Sequence, residues 1–217
     1  MEHCKAPHAL SCGECARLQP LFARIDRLRE GRGRVLVAID GGSASGKTTL
    51  AALLSRTYGA TVVHMDDFFL RPEQRSAQRL REPGGNVDHE RFAQEVLAPM
   101  RRAEAFLYRP YDCHTRTIGG GVRMMPGDVC VIEGAYSLHP GLEAAYDLRV
   151  LLRIDARTQS ARILRRNGEA MHERFMREWI PLENLYFEKT GIERRCDVIL
   201  RALPDGDGAL CAWEEDG

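Results

Sequence analysis

No stretch of this 217-residue sequence approaches the roughly 20 consecutive apolar residues that a membrane span requires. The opening Met-Glu-His-Cys-Lys-Ala-Pro-His also lacks the charged-then-apolar layout of a secretory signal. An excess of one charge is missing too, since 31 Lys and Arg stand against 31 Asp and Glu. That balance argues against a general nucleic-acid or membrane-surface binder, which needs a basic surplus. The seven cysteines (Cys4, Cys12, Cys15, Cys113, Cys130, Cys196 and Cys211) are odd in number and scattered, so they form no disulfide framework. Cys130 lies inside the apolar run Val129–Ile132 and reads as a reduced, buried thiol. Cys12-Gly13-Glu14-Cys15, with His3, Cys4 and His8 nearby, is a single C-x-x-C pair where structural zinc sites usually show two, so no metal ligand is assigned there. The expectation is a cytoplasmic protein with neither nucleic acid nor membrane as partner, self-association being left open.

What is present is ordinary globular composition: 44% hydrophobic and 29% charged residues, enough for one domain with a substantial core. Leu18, Leu21, Phe22, Ile25 and Leu28 recur at helical spacing and predict a helix from about Gln19 to Arg29. Residues 1–33 are therefore expected to form an N-terminal extension and residues 34–217 the main domain. From Arg34 onward short apolar runs alternate with helical periodicity. Strands are expected at Val35–Ile39, Thr61–Met65, Val129–Ile132, Leu148–Ile154 and Asp197–Leu200. Helices are expected at Lys47–Tyr58, at His89–Arg101 behind an Asp88 N-cap, and at Arg157–Arg166. Pro83-Gly84-Gly85 and Gly119-Gly120-Gly121 read as loops, the second as a hairpin tip. Buried strands separated by helices imply an α/β three-layer sandwich, with a mostly parallel sheet of about five strands.

Gly41-Gly42-Ser43-Ala44-Ser45-Gly46-Lys47-Thr48 satisfies the phosphate-binding pattern G-x-x-x-x-G-K-[ST]. Glycines let the backbone wrap an anion, and successive N–H groups at the start of a helix bind it. Lys47 can reach the β- and γ-phosphates, and the Thr48 hydroxyl can ligate Mg²⁺. The context is right for the motif, with an apolar strand before it and a helix after it, and Thr49 extends the binding loop.

Two acidic segments follow strands, Asp66-Asp67-Phe68-Phe69 and Glu133-Gly134. In open α/β sheets such positions face the ligand crevice. A phosphoryl transferase needs a carboxylate to accept the acceptor's proton and acidic groups to hold the metal. A GTPase would carry N-K-x-D and an ABC-type motor L-S-G-G; no Asn here precedes Lys, and L-S-G-G does not occur. Arg162, Arg165 and Arg166 share one helix face by their spacing and suit phosphate oxygens.

In order and spacing, GGSASGKTT, DDFF and IEG resemble the uridine kinase group of P-loop kinases, itself similar to nicotinamide riboside kinases, phosphoribulokinase and bacterial pantothenate kinase. The resemblance runs from about Arg34 to Leu200. It implies a P-loop kinase fold with an Arg-rich lid helix, ATP and Mg²⁺ as cofactors, and a small-molecule acceptor. It further implies Asp66 as general base, with Thr48, Asp66 and Glu133 around the metal. Lys47, Arg162, Arg165 and Arg166, with Arg157 nearby, would act on the phosphates. Phe69, Asp88, Tyr111, His114 and Arg116 would contact the acceptor, although His114 follows Tyr111 more closely than in the family's segment. Met171–Phe187 matches nothing in that pattern. The implied acceptor is the 5′-hydroxyl of uridine or cytidine. Alternatives are another riboside such as nicotinamide riboside, a small alcohol such as pantothenate or glycerate, or a nucleotide-binding regulator without catalysis.

Overall fold

The computed structural model describes residues 12–203 and 213–216, with side chains from Arg17 onward. The helix predicted near the N-terminus is longer than its apolar periodicity suggested: α1 spans Cys12–Arg32. The chain then continues through β1 (Val35–Gly41), α2 (Lys47–Tyr58), β2 (Thr61–His64) and a helix α3 over residues 89–101. Four short strands follow: β3 (Phe106–Tyr108), β4 (Tyr111–Asp112), β5 (Thr117–Ile118) and β6 (Val122–Met124). The remainder is β7 (Val129–Glu133), β8 (Leu148–Arg153), α4 (Ala156–Asn167), a helix α5 over residues 169–190, β9 (Val198–Ala202) and β10 (Trp213–Glu215).

The main sheet has six strands in the order β10-β9-β8-β1-β7-β2. Its five parallel strands are those the sequence predicts. The sixth, β10, pairs antiparallel with β9 at the edge and is too short to show a period of its own. Strand alternation divides the core into two layers. Val35, Val37 and Ile39 pack on one face with Leu18, Leu21 and Ile25 of α1 and Leu50 and Leu54 of α2. Leu36 and Ala38 pack on the other face with Phe92, Val96 and Met100 of α3 and Tyr186 of α5. Each fully buried Leu or Ile contributes about 1.5–3 kcal/mol, so α1 is held by the same hydrophobic layer as α2.

The glycine triplet 119–121 is not the hairpin tip. Strands β3 and β4 run out and β5 and β6 return, pairing β4 with β5 and β3 with β6. The turn between β4 and β5 holds His114 and Arg116, while Gly121 lies on the return arm at φ +78° beside the Tyr108 carbonyl. Cys113, Cys130 and Cys196 are free thiols. Burial pushes the Cys130 thiol up to about 11, as its place in β7 leads one to expect. The grouping of His3, Cys4 and His8 with Cys12 and Cys15 falls on residues whose side chains lie outside those described.

Candidate active site

Strand β1 ends in Asp40, and the chain then turns through the phosphate loop into α2. Gly41, at φ +150°, lies so close to β8 that a Cβ would meet the Leu152 carbonyl at 2.3 Å. Gly46 caps α2 at φ +100°. The loop's carbonyls are tied back by side chains. Lys47 Nζ donates to the oxygens of Gly41 at 2.8 Å and Gly42 at 3.0 Å. Gln159 Nε2 donates to Ser43 O at 3.0 Å, Arg162 Nη1 to Ala44 O at 3.1 Å, and Trp213 Nε1 to Ser45 O at 3.0 Å. Within the loop the N–H groups of Gly41, Ser43 and Ser45 donate to Asp40 Oδ1, Glu183 Oε2 and Gly42 O, so an anion here would fall to the N–H groups at the start of α2.

Asp40 fastens the neighbouring segments to this loop. Its carboxylate accepts from the N–H groups of Gly41 (2.7 Å), Tyr136 (3.1 Å) and Leu138 (2.9 Å) and from the Tyr186 hydroxyl (2.9 Å). Burial pushes its pKa up to about 6, outweighing those donors and Lys47. The bonds hold residues 134–138 in a strained turn in which Tyr136 adopts φ +70°. For a bulky non-glycine residue such a backbone is an outlier of the kind that gathers at functional sites.

At the carboxyl end of β7, Glu133 Oε1 accepts from the Thr48 hydroxyl at 3.1 Å and meets His64 Nδ1 at 2.5 Å. That contact is the main reason the His64 imidazole is shifted above its usual 6.5. Gly134 lets the chains approach here, since a Cβ on it would lie 2.8 Å from Met65 Cβ and 3.1 Å from Asp66 Oδ1. Strand β2 stops at His64, and residues 65–68 form a 3₁₀ turn. With three residues per turn, the two aspartates diverge. Asp67 accepts from the Tyr108 hydroxyl. Asp66 is exposed and lines the cleft. Desolvation, with Glu133, Glu183 and Asp67 adding to it, raises its pKa against the pull of Lys47.

Two cavities meet at this point. One, of about 470 Å³, is lined by Ser43, Ala44, Gly46, Lys47, Thr48, Thr49, Asp66, Glu133, Arg162, Arg165, Arg166 and Phe175. The other, of about 250 Å³, is lined by Ser43, Lys47, Asp66, Phe69, Asn86, Ala135, Tyr136, Phe175, Trp179 and Glu183. Ser43, Lys47, Asp66 and Phe175 border both.

The structure thus brings the phosphate loop, Asp66, Glu133 and Arg162, Arg165 and Arg166 of α4 together around one cavity, with Phe69 in the second. Arg157 is exposed and lines neither. Asp88 is buried and accepts from Arg91 N at 3.0 Å and Gln74 Nε2 at 2.7 Å, serving as the cap of α3. Tyr111 is buried in β4, and His114 and Arg116 are exposed at the hairpin turn; none of these three lines either cavity. Asp40, His64, Asn86, Tyr136, Phe175, Trp179 and Glu183 are not among the site residues expected from the sequence. Only Asp40, a charge closing an apolar strand ahead of a glycine pair, left a signal that could have been read.

A curated uridine kinase from Geobacillus sp. (strain WCH70) is 27% identical to this chain over 195 residues, covering 81% of this chain and 88% of that protein. The solved structure of a possible uridine kinase from Bacillus stearothermophilus superposes with a TM-score of 0.57 at 24% identity, covering 83% of this chain and 99% of that one. This chain is uridine kinase-like. No protein-family model matches it. The likeness of fold covers most of this chain; in it the phosphate loop, Asp66 and Glu133 lie at or just beyond the carboxyl ends of β1, β2 and β7.

Proposed function

We propose that this chain is an ATP-dependent kinase that phosphorylates a hydroxyl of a small molecule, with the 5′-hydroxyl of uridine or cytidine as the leading acceptor. The observation that carries this reading is the shared border of the two cavities. Ser43, Lys47 and Asp66 line both the chamber beside the phosphate loop and the smaller chamber beyond it. A phosphoryl group passing from one chamber to the other must cross that border. The smaller chamber lies below the ~300–1,000 Å³ of sites for drug-sized ligands, which favours a compact acceptor.

In this scheme the Asp66 carboxylate takes the proton of the acceptor hydroxyl. The new bond joins that oxygen to the γ-phosphorus, the bond from γ-phosphorus to the β-bridging oxygen breaks, and ADP carries away the electron pair. A raised pKa suits a general base working near neutral pH. Lys47 and the α4 arginines offset charge on the transferred group. Thr48 and Glu133 would hold Mg²⁺, with Asp66 alongside. Their hard oxygens, already 3.1 Å apart across the Thr48–Glu133 bond, fit that ion. Among the described residues no group of three or more His, Cys, Asp or Glu is arranged to hold a metal alone. Mg²⁺ generally takes one or two carboxylates and keeps several waters beside substrate phosphates. When bound, the ion supplies neutralisation of phosphate charge.

ADP release measured with ATP and Mg²⁺ over a panel of nucleosides, ribosides, pantothenate and glycerate tests the proposal. Uridine or cytidine should accelerate release well above the acceptor-free rate. Binding of ATP with no acceleration by any acceptor would instead identify a nucleotide-binding regulator.

A further inference from the structure

One helix supplies a wall of the smaller cavity that nothing in the motif pattern announced. In α5, Phe175, Trp179 and Glu183 follow at intervals of four residues, and all three line that cavity. Residues Phe175–Trp179 carry π-type hydrogen bonds within an otherwise α-helical element, a distortion that recurs at functional sites. The two rings pack edge to face with centroids 4.4 Å apart. Each also carries a guanidinium, Arg166 at 5.9 Å from the Phe175 ring and Arg174 at 4.9 Å from that of Trp179. Rings fixed in this way offer a flat ligand a stacking surface at little entropic cost.

Glu183 is buried at 4% exposure, an acidic group that needs partners at such a depth. Its Oε2 accepts from the Ser43 N–H at 2.9 Å and its Oε1 from the Ser43 hydroxyl at 2.5 Å. A carboxylate has about four lone-pair positions, so further acceptor capacity remains for a ligand. Asp66 and Glu183 are two carboxylates on one small cavity. Lys47 is the single cation in its lining, and its ammonium donates to Gly41 and Gly42. This balance of sign opposes an anionic acceptor.

Resting on the kinase reading of the same cavity, we infer that Phe175, Trp179 and Glu183 select the acceptor. It is a neutral or cationic alcohol whose flat ring lies against the two aromatic side chains and whose hydroxyl or amino hydrogens go to Glu183. Alcohols bearing a carboxylate are refused.

Calorimetric binding to the full chain in the presence of ADP and Mg²⁺ tests this without needing turnover. The probes are uridine, cytidine, nicotinamide riboside, pantothenate and glycerate. Wild type should bind at least one ring compound at least tenfold more tightly than pantothenate or glycerate. Trp179→Ala should weaken that ring compound at least tenfold while leaving the Kd for ADP within about threefold. Glu183→Gln, which keeps an oxygen for Ser43 and so should stay folded, should weaken the ring compound and narrow the discrimination against pantothenate. Equal binding of pantothenate and the ring compounds, no binding of any ring compound, or wild-type affinity in both variants would overturn the inference. Ring binding that is lost in Trp179→Ala, yet never accompanied by phosphoryl transfer, would refute the kinase reading and leave the subsite standing.

Discussion

Asp66 and Asp67 are neighbours in the chain, and their fates differ because of the 3₁₀ turn they occupy. Asp67 is held by the Tyr108 hydroxyl, whereas Asp66 borders both cavities. Asp66→Asn keeps the shape and removes the proton acceptor, so kcat should fall by about 10²–10⁴-fold, with ATP binding near normal. Asp67→Asn should cost far less, and what it costs should not be rescued by added Mg²⁺; a larger loss at Asp67 would reverse the assignment. The raised pKa of Asp66 fixes a further sign. With Asp66 as the proposed base, activity would need its carboxylate, so the acid limb of kcat/KM should lie above the 3.8 of an ordinary aspartate. A limb at or below that value would contradict the placement of Asp66 in a desolvated cleft. The acidic pair was legible in the sequence. What separates its members was not, because alternation along a strand continued to Met65 would also have sent them apart, and the strand in fact ends at His64.

At the scale of elements, α4 and α5 act on the same loop from different directions. Helix α4 brings Arg162 to the Ala44 carbonyl and Arg165 and Arg166 to the phosphate chamber. Arg166→Ala should lower kcat with a smaller effect on acceptor KM, as expected of a group that meets transferring charge. Because Arg166 also stacks on Phe175, Arg165→Ala is a second comparison, and normal turnover in both variants would reduce α4 to a charged surface. The arginine face was readable from spacing alone. Helix α5 was not, since its cavity-lining face mixes two aromatics with a glutamate and passes through π-type hydrogen bonds that no 3.6-residue period describes. The hairpin β4–β5 shows the opposite failure. Tyr111 and His114 match a substrate segment by resemblance, yet the strands place one in the core and the other on an exposed turn.

Across the whole molecule, Asp40 joins the phosphate loop, the strained turn at Tyr136 and, through Tyr186, helix α5. An Asp40→Asn change would turn an amide NH₂ toward donors, at a cost on the order of 3 kcal/mol. Its pH dependence has a definite sign. With a folded pKa near 6 against 3.8 in the unfolded chain, the folded state holds a proton that the unfolded state has released between those values. This group's contribution to stability therefore falls as pH rises through that window, by about 3 kcal/mol in full. Denaturant titrations from pH 4 to 6 should show wild type's advantage over Asp40→Asn narrowing; an advantage that widens would mean that the four donors outweigh burial. At this scale the sheet's five parallel strands and the phosphate loop could be read from apolar runs and one motif. Long-range ties such as Asp40 to Tyr186 or Ser43 to Glu183 join positions 146 and 140 residues apart, and local patterning carries no trace of them. Phosphoryl transfer is proposed to occur across the border formed by Ser43, Lys47 and Asp66. Its most direct test is ADP release at saturating ATP and Mg²⁺, with and without uridine or cytidine, for wild type and Lys47→Ala. Acceptor should stimulate release in wild type, and that release should fall well below a tenth in Lys47→Ala, a loss of more than about 1.4 kcal/mol of transition-state stabilisation. Release unaffected by any acceptor, or retained by Lys47→Ala above that level, would contradict the proposal.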